Sequence, residues 1–395
     1  MTFLPMLRAG AVNSPMRFLI IAGFAGSLLN FRGPLLQALV ARGHEVHAAA
    51  PGLGEDSVEA EQLRDMGLTP HDVPMDRTGL SPLADLRLLV ALTRLMRRLR
   101  PDVMMGYTVK PVIWGTLAAW LARVPRRVAL ITGLGLSFNE GKGAKQRMLT
   151  ALVSGLYRTA LNRADTVVFQ NRDDLALFRD RAILATEAQA RVVDGSGIDL
   201  DRFARVPLPD GPLRFVLVAR MIASKGVREF ADAARRTRER HPLVQFDLVG
   251  GLDSNPDSVT AEEIDTWQTE QVLTWHGQVA DVRPLMRAAH VVVLPSYYRE
   301  GVPRSLLEAL ALGRLIITTD MPGCRETLDG ENNGMLVPPR DAAALAQAMG
   351  RLASASCEEL LKMSEASHRL AKQRFDVHRV NRDMIAVIEG DTQVV

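Results

Sequence analysis

The chain has only two cysteines, Cys324 and Cys357, in 395 residues. They are too far apart to form a local pair, which excludes a disulfide framework and cysteine-based zinc spacing and points to a reducing compartment. Aromatic residues make up 5% of the chain, and no recognition motif accompanies its basic residues, which argues against a nucleic-acid binder. No uninterrupted apolar run reaches the roughly 18 residues needed to span a bilayer. The opening stretch, residues 1–15, carries a single arginine in a broken apolar pattern, so it reads as a loose extension rather than a signal peptide. A cytoplasmic protein is expected. The glycine-rich loop near the start lacks a full GxGxxG, which makes a dinucleotide site a poor fit. No Asp-x-Asp motif stands at an expected strand end, so no metal site is expected.

Apolar content is ample, at 47%. With this length, two domains are the natural expectation. The net charge of +3 conceals an asymmetry. Between Arg94 and Arg163 there are 13 Lys/Arg against Asp102 and Glu140, a local +11, so the rest of the chain carries −8. An acidic partner for the N-terminal half follows, with nucleic acid, anionic lipid and phosphorylated substrate as the candidates.

Taken in order, 16–23 reads as a buried strand, 24–30 as a loop, 32–42 as a helix and 45–50 as a second strand, together a βαβ unit. In such units ligands lie beyond the strand C-terminal ends. Gly26 and Ser27 would let a ligand approach the backbone there, or serve only as turn residues. The alternation continues with helices over 84–99, 112–122 and 145–161 and strands over 102–106, 127–132, 166–170 and 191–194. It pauses at Gly195–Asp199, and Pro207, Pro209, Gly211 and Pro212 follow, where we place a hinge. A second series has strands at 214–220, 244–250, 272–277, 291–295, 315–319 and 334–337, and the tail 357–390 reads as mostly helical. The fold class is therefore α/β, two doubly wound Rossmann-like halves facing across a cleft. The expected division is 1–15 as an extension, 16–195 and 196–375 as the two domains, and 376–395 as a C-terminal helix returning to the first.

Two stretches of the second half carry chemistry. In PSYYREGVPRSLLEALAL, a short loop joins a buried strand to a helix with Pro303 in its first turn. Glu300 lies in the loop and Glu308 about one and a half turns into the helix. Between them lie the free N–H groups of a helix start, which favour an anion. On spacing alone, two glutamates so placed near a helix start are usually a capping carboxylate and a solvated side chain. The second stretch is ARMIASKG, where Arg220 and Lys225 flank a loop at a strand end. Two solvated bases are the plain reading; a receptacle for a diphosphate is the functional one. A nucleotide sugar would need both stretches, cations for its phosphates and carboxylates for its hydroxyls.

Arg220 with Lys225, the Glu300-x7-Glu308 pair, and the run Ile317-Thr318-Thr319-Asp320-Met321-Pro322-Gly323-Cys324-Arg325-Glu326 resemble the retaining GT-B glycosyltransferases of family 4. The resemblance runs from about Met16 to the C-terminus and is more specific in the second half. Asn30-Phe31-Arg32-Gly33-Pro34, Lys110-Pro111-Val112-Ile113-Trp114-Gly115 and Thr132-Gly133-Leu134-Gly135 look like the branch that extends polyprenyl-diphosphate-linked sugars in bacterial surface glycan or glycoprotein synthesis.

The resemblance implies roles. Glu308 would bind the nucleotide ribose and Glu300 would face the donor sugar. Arg220 and Lys225 would hold the diphosphate and offset the charge that develops as it leaves. Backbone N–H groups from Gly301 to Leu307 would touch sugar and phosphate, with Gly301, Val302, Pro303, Leu306 and Leu307 lining the donor, and Gly26 and Ser27 on the facing side. No protein nucleophile is implied, because the leaving phosphate takes the acceptor proton. Many relatives place a first-domain histidine near the donor sugar; here Tyr107, Thr108 and Lys110 stand at that strand end, and with Asn30 and Arg32 they are assigned to the acceptor. The donor implied is a UDP-sugar, UDP-GalNAc or UDP-GlcNAc, with no further cofactor. The acceptor is an undecaprenyl-diphosphate-linked saccharide, with no nucleic-acid partner. Arg94, Arg97, Arg98, Arg126, Arg127, Lys142 and Lys145 would dock the first domain on the anionic inner face of the plasma membrane. The alternatives are a nucleotide-sugar 2-epimerase of the same plan, which needs acid–base groups that few histidines here supply, and a nucleic-acid binder using 94–163. A two-carboxylate glycoside hydrolase would leave Arg220 and Lys225 idle. The sequence carries no signal for oligomeric state.

Overall fold

The computed structural model describes residues 14–76, 81–134, 138, 143–184, 186, 189–253 and 257–390. Gly135, Lys142 and nearly all of the N-terminal extension lie outside these residues, as does the side chain of Lys145. The first half contains β1 (Arg17–Ile21), α1 (Ala25–Ala41), β2 (Glu45–Ala50), α2 (Val58–Asp65), β3 (Thr69–Asp72), α3 (Pro82–Leu99), β4 (Val103–Tyr107), α4 (Thr116–Leu121), β5 (Arg126–Ile131), α5 (Ala144–Leu161), β6 (Thr166–Phe169), α6 (Arg172–Asp180) and β7 (Ala190–Val192). The second half contains β8 (Arg214–Val218), α7 (Val227–Arg240), β9 (Gln245–Val249), α8 (Ala261–Thr269), β10 (Thr274–Trp275), α9 (Arg283–Ala288), β11 (Val291–Leu294), α10 (Arg304–Leu312), β12 (Leu315–Thr319), β13 (Gly334–Val337), α11 (Ala342–Ala353), α12 (Cys357–Leu370) and α13 (Val377–Glu389).

Each half is one parallel sheet wrapped by helices. The first has strand order β3-β2-β1-β4-β5-β6-β7 and the second β10-β9-β8-β11-β12-β13. Central strands such as β11, VVVL, are buried along their whole length, as parallel strands covered on both faces must be. Strand β3, TPHD, is the element that apolar patterning does not reveal: a strand with a proline fits only at a sheet edge, where β3 lies.

One early expectation is corrected. Residues 24–30 are not a loop; α1 begins at Ala25, directly after the strand. Gly26 and Ser27 therefore sit in a helix's first turn. A glycine followed by a serine signals a turn in isolation, but the apolar spacing of Leu28, Leu35, Leu36 and Leu39, all buried, draws the segment into the helix.

The chain crosses between halves twice, side by side. The Ile198 amide donates to Phe375 O at 2.7 Å and the Val377 amide to Ile198 O at 3.0 Å, so the outgoing linker and the returning segment are stitched together. Helix α13 then packs into the first half's core through Met384, Ile385, Val387 and Ile388, and Glu389 at its end pairs with Arg42 and His44. Arg314 is fully buried yet satisfied: it donates to the carbonyls of Val206, Pro207, Ala289 and Leu312 at 2.5–3.2 Å, anchoring the linker to the second sheet.

Candidate active site

In each sheet the strand order reverses at one place, between β1 and β4 in the first and between β8 and β11 in the second. Chain connections leave in opposite directions there, which opens a crevice at the strand C-terminal ends. The four loops at these crevices carry most of the residues singled out above.

In the second half, the β8–α7 loop and the β11–α10 loop are sewn together. The amide of Tyr297 donates to Ser224 O at 2.9 Å, and Ser296 Oγ bridges Ser224 O and Glu300 Oε1 at 3.2 and 3.1 Å. Gly226 has φ +75°, and a Cβ there would stand 2.2 Å from Pro295 O; only glycine allows the two loops so close. Lys225 Nζ consequently forms an ion pair with Glu300 Oε1, both side chains largely enclosed, and lies 5.5 Å from the Tyr298 ring centre. Cys324 is fully buried, and burial, with the Glu300 charge adding, pushes its thiol up to about 12. That removes it as a nucleophile at neutral pH. Arg220, in the same loop as Lys225, is exposed and pairs instead with Asp253 at 2.7 Å.

Pro303 is the N-cap of α10 rather than part of its first turn. Glu308 follows one turn in and accepts from Arg304 Nε at 3.1 Å, an i,i+4 contact along the helix. Burial raises its pKa, opposed by the Arg304 charge. Arg304 Nη1 also reaches Gly197 O at 3.1 Å, so it ties the helix to the linker. The amides of Leu306 and Leu307 both donate to Pro303 O at 3.2 Å. They are thereby committed within the helix, which corrects the expectation that they face a ligand; the side chains are core.

In the first half, Ser27 Oγ and the Tyr107 hydroxyl share a hydrogen bond of 2.8 Å. Burial raises the tyrosine pKa and keeps it neutral. Arg32 lies over the Tyr107 ring, 5.4 Å from its centre. Thr108 has φ +69° and its Oγ1 fills the space beside Gly23, where a Cβ would stand 2.7 Å away. Asn30 is exposed. Lys110 is in an ion pair with Asp85 at 2.9 Å, both poorly exposed, so its charge is already compensated. Arg127 is likewise engaged, bidentate to Asp165 at 2.8 and 2.9 Å, and Arg126 abuts Gly390. Arg94, Arg97 and Arg98 on α3 stay exposed.

The loop bearing Glu300 is also the main bridge between the halves. Asn171, at the end of β6, donates from Nδ2 to Glu300 O at 3.1 Å and Gly301 O at 3.0 Å, while its Oδ1 caps α6 by accepting from the Asp174 amide at 2.8 Å. Gly133 pairs with Glu300 as an antiparallel bridge. A Cβ at Gly301 would lie 2.0 Å from Gln170 Oε1 and 2.9 Å from Thr132 O. Val302 packs on Gly195. Arg299 lies 3.6 Å from Asp174, and Arg325 reaches Asp173 at 3.0 Å. Burial raises the Asp174 pKa to about 6 against the opposing Asn171 hydrogen bond and Arg299 charge. Sequence reasoning missed Asn171, Asp174 and Arg304. The helix-start signal Asn171-Arg172-Asp173-Asp174 and the i,i+4 spacing of Arg304 and Glu308 were legible, but their targets lie 129 and 107 positions away in the other half or the linker.

Among the described residues no group of three or more His, Cys, Asp or Glu is placed to hold a metal ion, and no helix is long and apolar enough to cross a membrane.

Two parallel domains whose strand-end loops converge on paired cations and carboxylates place this chain among the glycosyltransferases, and comparison with known proteins agrees. The family model described as "Glycosyl transferase 4-like domain" matches residues 33–195, and that described as "Glycosyl transferases group 1" matches residues 212–355. Together they take in more than half of the chain, which belongs to the family 4 glycosyltransferases of GT-B fold and is an enzyme of the hexosyltransferase class. It is 28% identical over 350 residues, 85% of this chain and 89% of the relative, to the N,N'-diacetylbacillosaminyl-diphospho-undecaprenol alpha-1,3-N-acetylgalactosaminyltransferase of Campylobacter jejuni. Identity is 25% over 296 residues, 71% of this chain and 73% of the relative, to the UDP-Gal:alpha-D-GlcNAc-diphosphoundecaprenol alpha-1,3-galactosyltransferase of Escherichia coli. Among solved structures, Anabaena Alr3699/HepE in complex with UDP superimposes with a TM-score of 0.74 over 95% of this chain and all of that one at 18% identity. Sucrose-phosphate synthase from Thermosynechococcus elongatus gives 0.76 over 94% of this chain and 98% of that one at 20% identity. These structural likenesses speak to the fold.

Proposed function

We propose that the protein transfers an N-acetylhexosamine, with retention, from a UDP-sugar to a saccharide carried on undecaprenyl diphosphate. The observation that carries this reading is the Lys225–Glu300 pair at the β8/β11 crevice, a cation and a carboxylate held side by side where a sugar diphosphate needs both. Lys225 and Arg220 bind the diphosphate, exchanging Glu300 and Asp253 for phosphate oxygens. Glu300, so released, accepts from donor-sugar hydroxyls, and Glu308 accepts from the ribose. The acceptor hydroxyl oxygen bonds to the anomeric carbon as the bond from that carbon to the β-phosphate oxygen breaks, and the acceptor proton passes to that phosphate. The cations stabilise the charge arriving on the leaving group, and the chemistry calls on no protein nucleophile. The names of the two relatives, both acting on undecaprenyl-diphosphate-linked sugars, support the acceptor class.

The acceptor approaches from the first domain, past Asn30, Tyr107 and Thr108, with the protein docked peripherally on the inner face of the membrane. One stripe of α3 supports this: Leu83, Leu86 and Val90 are exposed apolar residues, continued along the same face by Arg87, Arg94, Arg97 and Arg98. A screen of nucleotide sugars for thermal stabilisation tests the donor assignment. A UDP-N-acetylhexosamine is expected to raise Tm selectively, with Lys225→Ala and Glu308→Ala each weakening the effect. Equal stabilisation of wild type and both variants by that donor would overturn it.

A further inference from the structure

Arg64, Arg94 and Arg98 have no part in the cleft, yet the fold brings them to one place. They line an open cavity of about 650 Å³ along the outer edge of the first sheet. Arg64 lies in the last turn of α2, Arg94 and Arg98 project from the second half of α3, and edge strand β3 supplies a further wall. Among the described residues none of the three is ion-paired; Arg64 Nη1 donates to a carbonyl, Glu55 O, at 3.1 Å. Of the cavity's two carboxylates, Asp72 accepts from the Gly52 amide at 2.8 Å, and Glu55 stands exposed. Burial, with the His47 and Arg98 charges adding, pushes the pKa of His71 in the cavity wall down to about 4. His71 is therefore neutral, and the three arginines leave the cavity with an excess of positive charge.

The helix beside this cavity decides what would fill it. Leu88, Leu92, Leu95 and Met96 of α3 are buried against the sheet, while Leu83, Leu86 and Val90 are exposed apolar side chains. At about 100° per residue, Val90 and Arg94 fall within about 20° of Leu83 around the helix axis. Ala91, Leu95 and Arg98, which line the cavity, fall about 60–120° to one side of it. An amphipathic helix lying in a membrane interface turns its apolar stripe to the acyl chains and keeps its flanks at the level of the phosphates. The cavity occupies that flank, and Arg94 belongs to both. We infer that the cavity seats the headgroup phosphate of an anionic phospholipid, held by Arg64 from α2 and by Arg94 and Arg98 from α3. Guanidinium forks match phosphate oxygens, and arms from two helices can grip one phosphate where a basic stripe on a single helix offers diffuse attraction. Seating a headgroup also fixes the rotation of α3 about its axis, so the first-domain crevice meets the membrane in one orientation. This rests on the reading that α3 docks the protein on a membrane.

The test is flotation of the whole protein with phosphatidylglycerol and with phosphatidylcholine vesicles, at about 0.1 M and about 0.5 M salt, between which the Debye length falls from about 10 Å to about 4 Å. Arg64→Gln and the pair Arg94→Gln with Arg98→Gln are compared with a control pair, Arg87→Gln with Arg97→Gln, on the same helix but outside the cavity. At the higher salt the cavity variants are expected to bind phosphatidylglycerol vesicles about 10-fold or more weakly than wild type, and the control within about 2-fold of it. Arg64→Gln is the sharper probe, because Arg64 is on α2 and contributes nothing to the α3 stripe. All five side chains are exposed, so each variant should keep the wild-type Tm. Should Arg64→Gln lower it, the α3 cavity pair against its control decides alone. Equal loss in the control and the cavity pair, or no loss with Arg64→Gln, overturns the headgroup site and leaves diffuse attraction. Equal flotation of wild type with both lipids removes anionic docking through α3 altogether, and the headgroup site with it.

Discussion

Replacing Asn171 by serine should separate two jobs that one side chain performs. Serine is an equally good N-cap, so acceptance of the Asp174 amide survives. The shorter side chain cannot reach the carbonyls of Glu300 and Gly301, which Asn171 now serves at 3.1 and 3.0 Å. The two interdomain hydrogen bonds are lost at about 1 kcal/mol each, the Nδ2 contact to Asp174 Oδ2 goes with them, and the buried Gly301 carbonyl is left without that partner, so the expected cost is about 2–3 kcal/mol. Asn171→Ala also removes the cap and should cost about 1 kcal/mol more. Because the severed bonds hold the Glu300 loop to the first domain, both variants should also bind UDP-sugar more weakly than wild type. Urea unfolding and calorimetric titration read the two effects. Were Asn171→Ser to match wild type in stability while Asn171→Ala fell by about 1 kcal/mol, the bridge would be energetically idle and the coupling of domains through this loop would be refuted.

Two further outcomes follow from the same geometry. Asp174 has a folded-state pKa of about 6, raised from 3.8 chiefly by burial, with Asn171, Arg299, Asp173 and Tyr157 around it. A raised pKa contributes stability that is present below the unfolded value and lost as pH climbs through the folded one. The shift amounts to roughly 3 kcal/mol. The stability of Asp174→Asn relative to wild type should therefore improve by about that much between pH 4 and pH 7, and a difference independent of pH would contradict the account. On the membrane side, Leu83→Asp with Leu86→Asp should weaken flotation with anionic vesicles by 10-fold or more, from about 1.5–3 kcal/mol for each apolar side chain that inserts. Equal recovery on anionic and neutral vesicles, or no effect of the substitutions, would rule out α3 as the docking face.

Much of the architecture was readable because it depends on local alternation. Runs such as Val291–Leu294 must be buried on both faces, and helical spacing between them leaves a doubly wound sheet as the economical solution. The position of the candidate site was readable in part for the same reason: Lys225 and Glu300 lie in loops that follow buried strands, and Glu308 in the helix after one of them, where such sheets place their ligands. What no stretch of sequence disclosed was partnership. Arg220 turns to Asp253, Lys110 is neutralised by Asp85, and the exposed-looking Asn171 becomes the clamp on the Glu300 loop. The same holds for Arg32, one arginine among many until packing buries it over the Tyr107 ring. Hydrophobic period and turn chemistry act over a few residues and are written into neighbours along the chain. Ion pairing, desolvation and the meeting of two domains act between residues more than a hundred positions apart, and only the assembled tertiary structure decides them.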